Sequence, residues 1–209
     1  MRIVIPVYPE VDLLDVCGPA EMFNWAKFDV ALVAADPGPI TFNNGFQFNV
    51  TAGLDSVTAC DALWVPGGEP DALQAIMFGS DRRYQQFVTA QAAQARYVCS
   101  VCEGALLVAH CGLLDGYNAT THWAFIPYLL QNYPAISVAP GHPRFVLDRN
   151  RLTGGGISSG LDEALQLISL LGGEDLAASV QQTTQYYPQP PVHSDIPNII
   201  QSPMPPVPA

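Results

Sequence analysis

The stretch YVCSVCEGALLVAHCGLLDG, residues 97–116, decides the fold of this chain. Its first five residues predict a short buried strand, and residues 104–110 predict a helix. Cys102 lies at the junction, two residues after Ser100 and two residues before Gly104. Small residues on both sides of a strand-to-helix turn are typical of a nucleophile elbow, whose strained backbone exposes one side chain above the sheet. Cys102 is therefore the candidate nucleophile, and a small buried hydrophobic residue is the alternative.

The start of the helix adds two chemical features to this junction. Amide dipoles at a helix N-terminus favour the thiolate form of a cysteine. The backbone N–H of Glu103, the next residue, is predicted to donate a hydrogen bond to an oxyanion. Both features are those of a nucleophilic rather than a structural cysteine.

The other cysteines give weaker indications. Cys99 and Cys102 have the C-x-x-C spacing of a redox pair, but Cys99 falls inside the predicted strand, which favours a buried inert thiol. The sequence has no second pair at metal-ligand spacing, so no metal is predicted. Cys111 is predicted to be structural, and Cys17 and Cys60 have no supporting context.

Strands and helices alternate along the rest of the chain. Buried strands are predicted at residues 2–7, 28–34, 61–65 and 152–153, and an exposed strand at 46–51 after a turn at 36–39. Helices are predicted from about Pro19 onward, at 81–95, at 121–132, where Pro127 kinks or shortens the helix, at 159–171 and at 174–186.

The helix at 159–171 has the most regular pattern. Ser159 and Asp162 have the spacing of a capping box. The apolar side chains at i, i+3, i+4 and i+7 predict one buried face, made of Leu161, Ala164, Leu165 and Ile168.

This alternation implies an α/β three-layer sandwich with a mainly parallel central sheet. Because sites in such sheets lie beyond the carboxyl ends of the strands, the loops at 8–18, 66–70 and 102–104 are expected to meet. One domain is predicted over residues 1–187. A proline-rich tail at 188–209 is expected to run extended over the surface or to be disordered.

A cysteine nucleophile needs a proton-transfer partner. Asp15, between two apolar residues in the first of these loops, is the candidate acid or base, and a helix N-cap is the alternative. Gly67 and Gly68 can bring bare backbone N–H groups to the site, although an ordinary tight turn fits the same letters. Thr121 and His122 are candidate orienting residues, with a structural histidine as the alternative.

Composition excludes several classes of function. The 209 residues carry a net charge of −11, which repels nucleic-acid backbones and anionic membranes. The first eight residues are too short an apolar run for a secretory signal, and no run reaches the length of a membrane span. Five cysteines, an odd number, do not form a secreted disulfide framework, so a reduced cytoplasmic protein is expected.

At this point four motifs together resemble a known family. SVCEGALLVAHCGLLDG with the following ATTHWA is similar to the ThiJ/PfpI family of the class I glutamine-amidotransferase-like superfamily. EVDLLDVCGPAE, VPGG and LTGGGISSGLDEAL resemble a narrower branch, the isocyanide hydratases. The resemblance covers about residues 2–190. Related modules also occur at the N-terminus of transcription regulators.

The resemblance implies a flavodoxin-like fold, a homodimer and cofactor-free hydration of an organic isocyanide to an N-substituted formamide. Carried over by position, Cys102 is the nucleophile and Asp15 the acid/base, where many relatives hold a glutamate. Gly155 and Ile157 match the stretch beside the nucleophile and its pocket. In the resulting hypothesis, the thiolate attacks the isocyanide carbon while Asp15 supplies a proton, and water activated by Asp15 hydrolyses the thioimidate.

Two residues depart from the family pattern. Relatives among the isocyanide hydratases tend to carry a small hydroxyl residue at position 103, and peptidase-type relatives carry histidine, so Glu103 makes proteolysis an unfavoured function. Its side chain either raises the thiol pKa or points toward a neighbouring subunit. Pro127 interrupts a helix that is expected to continue.

Three other functions remain open for this sequence. One is glyoxalase-like hydration of small ketoaldehydes through Cys102. Another is a redox sensor in which Cys102 is oxidised to sulfinate. The third is a ligand-binding regulatory module.

Overall fold

A computed structural model describes residues 1–208, and a twisted sheet runs through its centre. The chain forms eleven strands in the described residues, several of them only two residues long. They are β1 (Arg2–Val7), β2 (Asp29–Ala34), β3 (Gly38–Thr41), β4 (Gln47–Val50), β5 (Ala52–Gly53), β6 (Ala62–Val65), β7 (Tyr97–Ser100), β8 (Asn118–Ala119), β9 (Ser137–Val138), β10 (Phe145–Asp148) and β11 (Arg151–Gly154).

Seven α-helices connect these strands in the described part of the chain. They are α1 (Leu13–Trp25), α2 (Pro70–Phe78), α3 (Arg83–Ala92), α4 (Gly104–His110), α5 (Ile126–Asn132), α6 (Ser159–Gly172) and α7 (Glu174–Thr183). Short 3-10 turns lie at Leu54–Ser56 and Trp123–Phe125. None of the helices in residues 1–208 is long and apolar enough to cross a membrane.

The central sheet has the strand order β10-β11-β7-β6-β1-β2-β5. Every neighbouring pair is parallel except β10 with β11. Helices α1, α6 and α7 pack together, and α2 packs with α3 and α4. The predicted three-layer α/β fold with a mainly parallel sheet is therefore confirmed.

The order of the strands determines where a site can form. The chain passes from β1 to β2 on one side and later returns to place β6 on the other side of β1. Such a reversal of direction opens a crevice at the carboxyl ends of the strands. The loops after β1, β6 and β7 meet there, as the sequence predicts.

Helix α1 begins at Leu13, six residues before the predicted start at Pro19, which lies inside the helix. Proline has no N–H to donate to the carbonyl four residues earlier, which here belongs to Asp15. That carbonyl instead accepts a hydrogen bond of 3.0 Å from the indole N–H of buried Trp64 in β6. The interior proline thus leaves an acceptor through which the sheet fixes α1.

The predicted capping box of α6 is wrong. Ser158 is the N-cap and makes no side-chain capping bond. Asp162 instead accepts a hydrogen bond of 2.7 Å from Nε of Arg144 in the loop before β10. The charged guanidinium of Arg144 forms a stronger hydrogen bond with the Asp162 carboxylate than a backbone N–H would.

The buried face of α6 is also rotated from the predicted one. Ala164 and Ile168 are buried as expected, but Leu161 and Leu165 are only half-buried. The remaining buried positions are Ser159, Gly160, Glu163, Leu167 and Leu171. A pattern based on apolar residues alone missed this face, because it contains a glycine and a glutamate.

The remaining differences are elements absent from the prediction, among them β8, β9 and β10, and shifted boundaries. Helix α2 was not predicted, β3 begins inside the predicted turn at 36–39, and α7 ends at Thr183 rather than Tyr186. Pro127 shortens the predicted helix at 121–132, because α5 begins only at Ile126. The tail runs over the surface: Met204 is buried, and the carbonyl of Pro206 accepts a hydrogen bond of 2.7 Å from the side chain of Gln74.

Candidate active site

Cys102 occupies the turn between β7 and α4 in a strained conformation. Its φ angle is +55°, in the left-handed region that non-glycine residues rarely adopt. Gly104 lies so close to the carbonyl of Val65 that a side chain there would clash. The close approach between α4 and the end of β6 therefore requires a glycine at position 104, as the geometry of an elbow does.

The loop after β11 holds the elbow from the other side. The backbone N–H of Ile157 points at the sulfur of Cys102 at 3.5 Å, and the N–H of Cys102 donates to the carbonyl of Gly155 at 2.9 Å. The hydroxyl of Thr121 donates to the carbonyl of Cys102 at 2.8 Å. These contacts fix the thiol and give it one backbone donor that stabilises negative charge.

Three carboxyl groups surround this thiol. Ligand atoms of Asp12, Asp15, Cys102 and Glu103 all lie within 4.8 Å of one another, and all but Asp12 are buried. We call these four residues the acid cluster. Oδ2 of Asp15 accepts a hydrogen bond of 2.9 Å from the N–H of Gly67. Among the described residues, Oδ1 of Asp15 and Oε2 of Glu103 have no hydrogen-bond partner.

Burial raises the pKa of both buried carboxyl groups. The pKa of Asp15 lies well above its usual value because the side chain is buried and because Asp12 and Glu103 are close, while the N–H of Gly67 opposes the shift. Burial raises the pKa of Glu103 to about 7, opposed by a hydrogen bond from the Cys102 thiol. Burial therefore favours the protonated form of Asp15, and Glu103 titrates near neutral pH.

The thiol responds in the same direction. Burial, then the charges of Asp15 and Glu103, raise the pKa of Cys102 well above its usual value, and the N–H of Ile157 opposes this. The expected stabilisation of a thiolate by the helix is therefore outweighed. The Glu103 side chain faces the thiol and is buried, which matches the interpretation that it raises the thiol pKa.

Gly67 and Gly68 bring the loops together. A Cβ atom on Gly67 would lie 2.5 Å from Oε2 of Glu103 and 2.9 Å from Cβ of Cys102. A Cβ atom on Gly68 would lie 2.7 Å from the carbonyl of Glu10. Because the N–H of Gly67 already donates to Asp15, its role here is to orient the acid.

His122 lies beside the site rather than in the acid cluster. Its Nδ1 accepts a hydrogen bond of 3.2 Å from the N–H of Ala124 and so caps the short 3-10 turn. Its ring packs against Gly156 in the loop that carries Ile157. Burial lowers the pKa of His122, which favours the neutral ring.

A cavity of about 380 Å³ opens next to the loop that holds the thiol. Its wall includes Leu14, Trp123 and Ile157, the charged Arg144, and Ile196 from the tail. The wall combines apolar side chains with polar ones such as His142 and Ser158, a mixture that suits a small organic molecule with a polar group.

The acid cluster is also the group of residues that could hold a metal. Three carboxyl groups and a thiol are chemically able to bind a cation. The raised pKa values of Asp15 and Glu103 mean that protons compete for the same oxygens. The arrangement is therefore suited to storing and moving protons.

Two members of this environment were not recognised as site residues in the sequence. Asp12 lies three residues before Asp15 at the start of α1, a spacing that places both on one side of the helix. Glu163 is fully buried on α6, and neither of its carboxyl oxygens has a partner in the described residues. The sequence did contain a signal for the burial of Glu163, because it lies on the same face of α6 as Gly160 and Leu167.

The fold and the elbow together define a class of protein, the α/β proteins with a cysteine at a strand-to-helix elbow beyond the carboxyl ends of a mainly parallel sheet. Residues 1–170 match the DJ-1/PfpI family, and the chain belongs to that family. The resemblance noted in the sequence is thereby confirmed.

Curated relatives include an enzyme and several transcription regulators. The chain is 38% identical over 199 residues to an isonitrile hydratase of Pseudomonas putida, covering 95% of this chain and 84% of the relative. It is 30% identical to the HTH-type transcriptional regulator GbdR of Pseudomonas aeruginosa, covering 79% of this chain and 42% of that longer protein.

Solved structures agree with this family. A THiJ/PfpI family protein from Pseudomonas syringae is 34% identical, with a TM-score of 0.82 over 91% of this chain and 77% of that one. DJ-1beta of Drosophila melanogaster is 17% identical, with a TM-score of 0.79 over 88% and 97%, and shows the fold alone.

Proposed function

We propose that this protein is an isocyanide hydratase that converts R–NC and water to an N-substituted formamide through Cys102. The enzyme class is supported by the 38% identity to an isonitrile hydratase over most of both chains. The observation that carries the chemistry is a buried acid, Asp15, within 4.8 Å of the nucleophilic sulfur. An isocyanide carbon becomes a good electrophile for a thiolate only when it also gains a proton.

Two steps complete the reaction. In the first, the sulfur of Cys102 bonds to the terminal carbon while Asp15 gives that carbon its proton, leaving a thioimidate, Cys–S–CH=N–R. In the second, the Asp15 carboxylate takes a proton from water as the hydroxyl adds to the carbon and a proton reaches the nitrogen, giving Cys–S–CH(OH)–NH–R. The C–S bond then breaks as the hydroxyl loses its proton, which frees the sulfur and releases R–NH–CHO. Covalent catalysis divides a difficult hydration into two easier steps.

The surroundings support each role. The N–H of Ile157 stabilises charge on the sulfur, and the N–H of Gly67 orients Asp15. Burial raises the pKa of Asp15 and so favours the protonated form that a proton donor needs. The cavity beside Ile157, whose wall includes Leu14 and Trp123, offers space for the R group.

The raised thiol pKa also bears on the redox alternative. Sensor cysteines are exposed and have low pKa values. Cys102 is only 1% exposed, and burial raises its pKa. Neither property favours oxidation as the function of this thiol.

The test is turnover of cyclohexyl isocyanide, with methylglyoxal as the competing substrate, followed by mass spectrometry of the products. Formamide is expected, and Cys102→Ala is expected to lower its rate by a factor of about 10³ or more. Cys99→Ala is the matched control, because Cys99 is a buried thiol in β7 outside the acid cluster. Full turnover by Cys102→Ala, or lactate as the sole product, contradicts the proposal.

The assembly and location are proposed on a narrower basis. We infer a homodimer from the family resemblance and a cytoplasmic location from five free cysteines. Light scattering of the purified chain measures the first, and a monomer at micromolar concentration contradicts it.

A further inference from the structure

The acid cluster contains one carboxyl group that the two steps above do not use. Glu103 is 5% exposed, and its Oε2 has no hydrogen-bond partner in the described residues. The site that a Cβ atom of Gly67 would occupy lies 2.5 Å from this oxygen and 2.9 Å from Cβ of Cys102. The carboxyl group therefore lies beside the nucleophile, with a carboxyl oxygen of Glu103 within 4.8 Å of the sulfur.

Among residues 1–208, the titratable groups that interact electrostatically with Glu103 include no cation. They come from the loop after β1, from α1 and its start, from the loop before α2 and from the elbow. They are Tyr8, Asp12, Asp15, Glu69 and Cys102. A buried site without a cation cannot readily gain a second negative charge, because nothing repays the cost of desolvation.

This constraint applies directly to the first chemical step. Attack requires the thiol to lose its proton, and transfer to the isocyanide carbon requires Asp15 to lose one as well. If both protons left the cluster or moved to the substrate, the cluster would become more negative during the step. A nearby base that receives the thiol proton keeps the charge constant.

We propose that Glu103 is a second catalytic residue, which accepts the proton of the Cys102 thiol during attack and returns it to the substrate nitrogen during hydrolysis. This inference rests on the proposed function.

The protons balance across the cycle. Before attack, Asp15 and Cys102 carry protons and Glu103 is ionised. After attack, Glu103 is protonated, Asp15 is ionised and the carbon carries hydrogen, so the charge of the cluster is unchanged. Water then gives a proton to Asp15 and its hydroxyl to the carbon, while Glu103 protonates the nitrogen. Collapse of Cys–S–CH(OH)–NH–R moves the hydroxyl proton to the sulfur, which restores the starting state and releases R–NH–CHO.

The first measurement needs no isocyanide. The rate at which iodoacetamide alkylates Cys102 is followed from pH 5 to 10, and the Cys102 peptide is quantified by mass spectrometry because the other cysteines are also free. A proton shared between the thiol and Glu103 gives a break in the profile near the Glu103 pKa of about 7. A wild-type profile with no break there overturns the proposal, whether or not isocyanides are substrates.

Variants assign the break to the carboxyl group. Glu103→Gln keeps the size of the side chain and is expected to abolish the break, and Glu103→Asp is expected to retain it. Glu69→Gln is the matched control, since it removes a nearby exposed negative charge that does not touch the thiol. A break that persists in Glu103→Gln overturns the proposal.

Turnover measurements distinguish a Glu103 that carries the thiol proton from a Glu103 that acts only through its negative charge. Loss of proton transfer is expected to lower kcat/KM of Glu103→Gln for an alkyl isocyanide by a factor of about 100, with little change for Glu69→Gln. If Glu103 acted only by repelling the thiolate, Glu103→Gln would be equally active or faster, which overturns the proposal. If the wild type turns over no isocyanide, the proposed function fails, while the alkylation profile still decides whether Glu103 shares the thiol proton.

Discussion

Two groups of acidic residues lie at the carboxyl edge of the same sheet, and their pKa values are shifted in opposite directions. In the acid cluster, the pKa values of Asp15 and Glu103 are raised by burial. Beyond the end of β2, Asp36 and Asp81 are exposed and bind Arg83 at 2.8 and 2.6 Å. Hydrogen bonds from Arg83 lower the pKa of Asp81 to about 2.

The difference teaches what makes a carboxyl group reactive. Solvent exposure and Arg83 keep Asp36 and Asp81, the exposed pair, negatively charged. Their ion pairs with Arg83 serve only to connect α3 to the loop after β2. Burial without a cation leaves the other group able to gain and lose protons near neutral pH. The same residue types are thus structural in one place and chemical in the other.

The largest effect is expected from removing the acid of the buried group. Asp15→Asn cannot donate the proton to the isocyanide carbon and is expected to lower kcat by a factor of about 10² to 10⁴. Because the wild type needs protonated Asp15, its activity should fall at high pH, and that limb should disappear in the variant. Steady-state rates from pH 5 to 10 test this, with Asp36→Asn as the exposed control. Equal losses of kcat in Asp15→Asn and Asp36→Asn would contradict the proposed difference between the buried and the exposed acidic residues.

A smaller effect is expected from crowding the acid cluster. Gly67→Ala places a methyl group 2.5 Å from Oε2 of Glu103 and 2.8 Å from its backbone N. The free energy of unfolding is expected to fall by about 1 to 3 kcal/mol, as for other overpacked interiors, and turnover should fall as well. Urea denaturation measures the first quantity. Gly18→Ala is the control, because the methyl group there meets only flexible leucine side chains.

Glu163, a third buried carboxyl group, has no proposed catalytic role and therefore isolates the effect of burial on stability. Glu163 is fully buried, and burial, then the charge of Asp15, raise its pKa well above the usual 4.5. The unfolded chain ionises above pH 4.5 while the folded protein keeps the proton, so this residue makes stability fall as pH rises. Glu163→Gln is expected to be more stable than the wild type at pH 8 by roughly 1 to 2 kcal/mol.

The stability advantage of Glu163→Gln should disappear at pH 4, where Glu163 is protonated in both states. Thermal melts at the two pH values give the comparison, and Asp15 and Glu103 are unchanged in the variant. An advantage of equal size at pH 4 and pH 8 would mean that packing, not ionisation, distinguishes the two side chains.

The smallest effect is expected at the exposed pair. Arg83→Gln should move the pKa of Asp81 upward from about 2, because the hydrogen bonds that lower it are lost. Carbon-detected NMR titration of Asp81 measures this directly. The lowered pKa stabilises the fold above the usual aspartate pKa and loses that effect as pH falls, so any change in melting temperature should be confined to higher pH and be slight. A large loss of stability at pH 7 would show that the exposed pair matters more than its solvation allows.

Sequence reasoning succeeded where a local pattern had one physical cause. Strand β1 and helix α4 have the predicted bounds, because a β-branched run and a strand-to-helix elbow are local features. It failed where a distant partner decided the outcome. Asp162 leaves its predicted cap for Arg144, and α1 contains Pro19 because Trp64 satisfies the carbonyl that the proline frees.

The amino-acid sequence by itself determined the alternation of strands and helices and the elbow at Cys102, since these depend on side-chain periodicity and short-range sterics. It also indicated the family, through the resemblance of four motifs. Only the tertiary structure decided the protonation of the site. Asp15 and Glu103 are 88 positions apart in the chain, and their pKa values are raised first by burial and then by neighbouring acidic groups, including Asp12 in both cases. Those are properties of three-dimensional proximity, which no local pattern of residues encodes.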